Sequence, residues 1–236
     1  MPPKIGQIQL FPYDFAPRGW LPCEGAELPI FQNQTLFKLL GKTFGGDGQR
    51  TFALPDMRKM NPPNCHYCIA NEGDSSAELY KGIITETFLL PIPSPGAPNL
   101  LECAGQSLDV GGYTTLYNYL RETFGGEIPN FNLPKLSSEA INGYRYMITT
   151  EGSFPMSSRQ AFIGELILLP IDPESPALQR CNGSKLPVDR NRDLFSEIGT
   201  RFGGDDRAFA VPNLSVAAPM NYNYYISKTG MHPSRP

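Results

Sequence analysis

Apolar positions along this chain alternate with polar ones in short bursts and then stop at proline. Ile5 to Leu10 is the first burst, Ile83 to Leu90 the second and Phe162 to Leu169 the third. Alternation with β-branched residues predicts a strand at each place, ended by Pro12, Pro91 or Pro170. A second pattern follows at a fixed distance. Thr35-Leu36-Phe37-Lys38-Leu39-Leu40-Gly41 carries apolar residues at helical spacing before a glycine stop. Leu116 to Leu120 and Leu194 to Gly199 repeat that stripe, with Asp189 as the expected N-cap of the third copy. In the second copy Gly111-Gly112 replaces the helix lead-in. Between burst and helix, Leu21 to Pro29 reads as two short strands about a turn at Gly25. A last strand is expected at Tyr144 to Thr149 and its counterparts.

The landmarks that recur in order are Cys-x-Gly, Phe-Gly-Gly and a hydrophobic-Pro pair. Cys23, Cys103 and Cys181 open the first; they read as small buried apolar residues. Gly45-Gly46, Gly125-Gly126 and Gly203-Gly204 form the second; Pro55, Pro134 and Pro212 close the third. The cysteines step by 80 and 78 positions, the glycine pairs by 80 and 78, and the prolines by 79 and 78. Such register over three copies establishes triplication of one unit. The units are expected over 1–75, 76–156 and 157–236, with polar joins at Asp74-Ser75-Ser76 and Ser157-Ser158-Arg159. A unit this small sits at the lower edge of what buries its own core, so neighbours should share apolar surface. The predicted class is α+β: three tandem, loop-rich domains, each of short strands and one short helix.

Composition narrows the functional field. Glycine and proline supply 23 and 24 of 236 residues, which favours turns over long helices. With a net charge of −3 and no basic stripe, the chain lacks the electrostatic footprint of a nucleic-acid binder. No stretch approaches the roughly 18 apolar residues of a membrane span. The first residues, MPPKIGQIQL, do not read as a secretory signal, so cytoplasmic synthesis is expected. Five cysteines cannot all pair within one chain, which favours reduced thiols at synthesis.

Candidate chemistry is sparse. The acids after the glycine pairs, Asp47, Glu127 and Asp205-Asp206, would repel a phosphate, and the lysine of a P-loop is missing. They are too few for an EF-hand; a plain turn is favoured over calcium. Cys65-His66-Tyr67-Cys68 has a Cys-x-x-Cys, but a structural zinc site wants four ligands and no second pair exists. The counterparts of Cys65 and Cys68 are Tyr144 and Met147, then Tyr222 and Tyr225, which favours packing. His66 and His232 are the two histidines, and neither reads as a catalytic base. No cofactor, metal or catalytic residue is assigned, and no enzyme activity is expected.

The first unit carries a dense set of further features. They run Ile5-Gly6, Ala16-Pro17-Arg18-Gly19-Trp20, Cys23-x-Gly25, Leu28-Pro29, Leu36-Phe37-x-Leu39-Leu40-Gly41, Thr43-Phe44-Gly45-Gly46-Asp47-Gly48 and Thr51-Phe52-Ala53-Leu54-Pro55-Asp56. Over residues 5 to 57 this resembles the phage tail collar domain. The other units keep the skeleton without a tryptophan; Leu101 and Gln179 lie near the place of Trp20. The resemblance implies a structural part of a phage tail or a phage-tail-derived bacterial assembly, in a virion or outside the cell, in a family that is often trimeric. Partners would be other tail or fibre-type proteins or copies of the chain. The alternative is an adhesin that binds surface glycans through aromatics such as Tyr113, Tyr117 and Tyr222. Three copies in one chain leave two arrangements open: a closed pseudo-threefold ring, or three beads in a row.

Overall fold

The computed structural model describes residues 3–76, 80, 82–91, 97–136, 143–152, 161–173 and 175–235. The second join, Ser157-Ser158-Arg159, lies outside them. Each unit runs through the same order of elements. The first has β1 (Ile8–Phe11), β2 (Trp20–Pro22), β3 (Glu27–Pro29), α1 (Gln34–Leu40), β4 (Thr51–Ala53) and β5 (His66–Ala70). The second has β6 (Thr87–Pro91), β7 (Leu100–Glu102), β8 (Ser107–Asp109), α2 (Thr114–Leu120), β9 (Asn130–Asn132) and β10 (Tyr144–Thr149). The third has β11 (Leu166–Leu169), β12 (Leu178–Arg180), β13 (Lys185–Pro187), α3 (Arg192–Ile198), β14 (Ala208–Ala210) and β15 (Asn223–Ser227). This is the α+β, loop-rich class read from the sequence.

Within a unit the first strand pairs antiparallel with the last, and the last with the second. The register repeats: Leu10 lies opposite Tyr67, Leu89 opposite Tyr146 and Leu168 opposite Tyr224. The units also join one another. β6 bonds to β1 through Ile8 and Leu89 and to β11 through Thr87 and Leu168, and β1 lies against β11. The result, among the described residues, is one sheet of nine strands with three two-stranded ribbons beside it. Strand residues buried on both faces explain why the first bursts are so apolar: every residue of β1, β6 and β11 is buried.

The strands start later than the hydrophobic bursts predict. Residues 4–7, 83–86 and 162–165 form a tight turn instead, with positive φ at Gly6, Thr85 and Gly164. A Gln or Glu closes each turn. Gln7 Oε1 accepts from Lys4 N at 3.1 Å, Glu86 Oε2 from Ile83 N at 3.2 Å and Glu165 Oε2 from Phe162 N at 3.0 Å. Local side-chain capping of this kind competes with extension of the strand.

Each helix buries two residues one turn apart: Leu36 and Leu40, Leu116 and Leu120, Leu194 and Ile198. Burying such a side chain stabilises by about 2 kcal/mol. A third helical residue sets its ring, tilted, against a ring of the strand after the glycine pair. Phe37 meets Phe52 at 5.5 Å, Tyr117 meets Phe131 at 5.5 Å and Phe195 meets Phe209 at 5.3 Å. The third helix is not capped by Asp189. A 3-10 turn over Val188–Arg190 takes up that residue, and Asn191 holds the cap position without a side-chain cap bond. Its amide donates back to Pro187 O at 2.9 Å. Gly41 and Gly199 end their helices at φ 54 and 53, and Arg121 adopts φ 48 at the same place.

The units share a core, as their size requires. One buried cluster draws Leu10 and Cys65 from the first unit, Ile84 and Leu116 from the second, and Ile163 and Leu194 from the third. The first unit's own cluster takes in Leu89 and Tyr144 of the second. The register also refines one correspondence: Trp20 opposes Ala70, while Leu100 opposes Thr149 and Leu178 opposes Ser227. The place of the tryptophan therefore belongs to Leu100 and Leu178, each one residue before the position read from the sequence.

Candidate functional site

The recurring landmarks are structural devices. Cys23, Cys103 and Cys181 are buried, each following the second strand of its unit. Burial pushes the Cys103 thiol up to about 12, away from the thiolate that would react. The second glycine of each pair, Gly46, Gly126 and Gly204, has positive φ and lies against the backbone of the following strand. The first, Gly45, Gly125 and Gly203, accepts through its carbonyl from Ala53, Asn132 and Ala210 N–H. Leu54, Leu133 and Val211, before Pro55, Pro134 and Pro212, are buried and donate to the opposite ribbon strand's lead-in.

The loop acids are turn-makers. Asp47 Oδ1 accepts from the N–H groups of Thr51, Arg50 and Gln49 at 2.8, 2.7 and 2.8 Å. Those three donors hold its pKa down to about 2. Asp205 Oδ1 accepts from Ala208 and Arg207 N–H at 3.0 and 2.9 Å. A carboxylate so engaged is spent on loop shape in the first and third units, while in the second the Glu127 backbone carbonyl accepts from Asn130 N–H.

Cys65 and Cys68 do not face one site. They belong to separate buried clusters, Cys65 with Cys181 and Ile163, Cys68 with Phe11 and Trp20. His66 between them is half-buried on β5. His232 bonds Glu197, at the end of α3, and that carboxylate raises its pKa. Of the three aromatics proposed for glycan stacking, Tyr222 is 4% exposed and bonds the Thr87 hydroxyl at 3.2 Å, so it is a core residue. Tyr113 and Tyr117 are half-buried; the Tyr117 hydroxyl donates to Glu122 at 2.6 Å and Arg121 sits over its ring at 5.4 Å.

The densest specific chemistry lies where units meet. At the boundary of the first and second, Tyr144 donates to Gly6 O at 3.1 Å and stacks on Phe44 at 6.0 Å. Between the second and third, Tyr222 bonds Thr87 and stacks on Phe124 at 6.0 Å. Between the third and first, Asn64 donates to Arg201 O at 3.1 Å and Tyr13 to Ile163 O at 2.6 Å. Gln9 donates to Glu165 Oε1 at 2.7 Å there, and Arg201 pairs with Asp14 at 3.2 Å. Sequence reading missed the Gln7, Glu86, Glu165 series and the roles of Tyr13 and Gln9. The series is visible once the three copies are laid over one another at Gly6, Thr85 and Gly164.

Cavities are small. Where β1, β6 and β11 meet, a space of about 30 Å³ is lined by the three opposed tyrosines Tyr67, Tyr146 and Tyr224. Ligand sites are typically about 300–1,000 Å³, so this space suits a water rather than a substrate. A cleft of about 300 Å³ lies beside Lys4, Lys38 and Asp74. Its buried cation is already neutralised, since Lys4 Nζ bonds Asp74 at 2.5 Å and Ser76 O at 2.9 Å. Among the described residues, no helix is long and apolar enough to cross a membrane.

The family model of the phage tail collar domain matches residues 6–62, 86–141 and 164–219, more than half of the chain. The chain belongs to the phage tail collar domain family. No curated protein and no solved structure matches it significantly. The three collar matches fall on the three structural units, each starting in the turn before the first strand and ending ahead of the last strand. The collar domain is a structural domain of tail-fibre proteins, and the resemblance read from the first unit extends to all three copies.

Proposed function

We propose that this protein is a non-catalytic structural component of a phage tail or a phage-tail-derived bacterial assembly, located in the virion or in an extracellular particle. In this reading the three collar units close into a pseudo-threefold ring, so that one chain stands where three single-domain chains would. The observation that carries it is the meeting of first strands: β6 bonds to both β1 and β11, and β1 lies against β11. Contacts at all three boundaries support closure, because a row of beads would leave one of them unmade.

A single chain, unlike a homotrimer, can make its three faces different. The loop after the hydrophobic-Pro pair carries Arg58 and Lys59 in the first unit, with Arg58 paired to Asp56 at 2.6 Å. The third unit has Ser215 and Val216 there, and Val216 is 98% exposed with Met220 close behind it in the chain. Distinct partners at distinct faces follow from that divergence. The glycan-binding alternative has less support, since Tyr222 is internal and the Tyr117 ring and hydroxyl are engaged within the protein.

Two measurements test the proposal. Solution scattering should give a radius of gyration near that of one compact body, about 18 Å by size scaling. Three units in line would give roughly 27 Å by the same scaling, and that value would remove the ring. Immunogold labelling of purified tail particles should place the protein at a discrete position. Its absence from intact particles would remove the structural role.

A further inference from the structure

The three boundaries repeat one contact and break it once. In each, the cysteine after a unit's second strand shares a core with the residue at or just before the start of the next unit's last strand. Cys23 packs in one cluster with Tyr144. Cys103 lies in another with Tyr222. At the third boundary the equivalent residues are Cys181 and Cys65, both buried in that same shared cluster with Cys65 near enough to act on the Cys181 thiol, and here the tyrosine is replaced by a second cysteine. That boundary, between the third and first units, is the one the course of the chain does not bridge. The first two are spanned by the backbone, whereas this one is held by side chains and by the C-terminal segment. Arg18 N donates to Ser234 O at 3.0 Å, and the Arg235 guanidinium lies 4.9 Å from the Phe15 ring centre.

We propose that Cys65 and Cys181 form a redox staple: in an oxidising environment they join as a disulfide that closes the ring covalently at its only unlinked boundary. The inference rests on the ring reading above. The oxidant is a low-molecular-weight disulfide. The thiolate of Cys65 attacks one of its sulfurs, releasing a small thiol and leaving a mixed disulfide on Cys65. The thiolate of Cys181 then attacks the Cys65 sulfur, forming the Cys65–Cys181 bond and releasing the second small thiol. The protein gives up two electrons and two protons, and the oxidant leaves as two thiols.

The competing pair is Cys23 and Cys68, just after β2 and on the neighbouring β5 of the first unit, close enough for Cys68 to help raise the Cys23 thiol; a bond there would link no two units. Cys103 has a tyrosine opposite. Burial raises Cys65 to about 12 and lifts Cys181 as well, with Cys65 nearby adding to the effect. The closed ring therefore reacts slowly, and the bond forms when the boundary opens transiently or as the ring assembles.

The test uses the full reduced chain, oxidised glutathione at neutral pH, and mild urea to speed opening. Non-reducing peptide mapping should find a Cys65–Cys181 cross-link as the main product, and the oxidised form should melt about 10 °C higher. Cys65→Tyr, which installs the residue of the other two boundaries, should fold and show neither change; Cys181→Ser should also lose the cross-link. A cross-link at another pair, none after prolonged oxidation, or an equal rise in Cys65→Tyr would overturn the staple. Scattering of the reduced protein separates the readings. A compact particle without the cross-link removes the staple alone, whereas an extended particle removes the ring.

Discussion

Replacing Gly46 by alanine should be among the most damaging small changes to this protein. Gly46 sits at φ 88, where an L residue costs about 1–2 kcal/mol. An added Cβ would lie 2.7 Å from Thr51 O and 2.8 Å from Phe52 N, and closer still to Phe52 Cα. All three are backbone atoms at β4, and Phe52 is fully buried beneath Phe37. Relief requires moving the β3–β4 ribbon off the helix, which brings the expected loss to about 4 kcal/mol. Gly41→Ala is the control. Gly41 also has positive φ, but nothing lies within 4 Å of the added atom, and Arg121 already occupies the same position in the second unit. That change should cost about 1 kcal/mol. Urea unfolding followed by fluorescence of Trp20, the one tryptophan, measures both. If the two variants unfold within 0.5 kcal/mol of each other, roughly the precision of such comparisons, close backbone approach is not what the second glycine serves.

Other outcomes follow from the same contacts. Tyr13→Phe removes the donor to Ile163 O and leaves that buried carbonyl unpaired, so it should cost about 1–2 kcal/mol and loosen the boundary between third and first units; unchanged stability and unchanged hydrogen exchange at Gly164 would contradict this. The Asp47 pKa is lowered to about 2, so its contribution is present above the unfolded value of 3.8 and is lost as pH falls toward 2. The stability gap between wild type and Asp47→Ala should accordingly be constant above about pH 5 and narrow below pH 4; a gap that stays constant down to pH 2 would rule the three amide donors out as its source. The His232 pKa is raised above 6.5 by Glu197, so that pair stabilises fully below 6.5 and fades as pH rises through the raised value. An NMR titration should show Glu197→Gln returning His232 toward 6.5, and an unmoved titration would mean the pair does not form in solution.

Much of one unit is legible in its residues, because local periodicity records which side of an element is buried. The stripe Leu36, Leu40 marks the helix, and the alternation before Pro12 marks the first strand within three residues of its start. What burial pattern does not record is the surface that does the burying. Tyr222 looks like a surface aromatic in the chain and is a core residue because the second unit's Phe124 and Thr87 lie against it. Cys65 and Cys68 look like a pair, but a strand sends residues three apart to opposite faces, and two different cores receive them. The Asp47 carboxylate looks like a ligand until the loop curls three N–H groups around it.

Spacing alone establishes three copies of one unit, since three landmarks hold register along the chain without reference to any fold. The acid after each glycine pair and the apolar first strands belong to the same local record. How the copies meet does not. The pairings of β6 with β1 and with β11 each join residues about 80 positions apart, and only the packing of the units in space brings Ile8, Leu89 and Leu168 together. A first strand buried on every residue, the polar Gln9 and Thr87 included, is covered on both faces; that its cover includes sister strands emerges from the packing of units too small to finish their own cores.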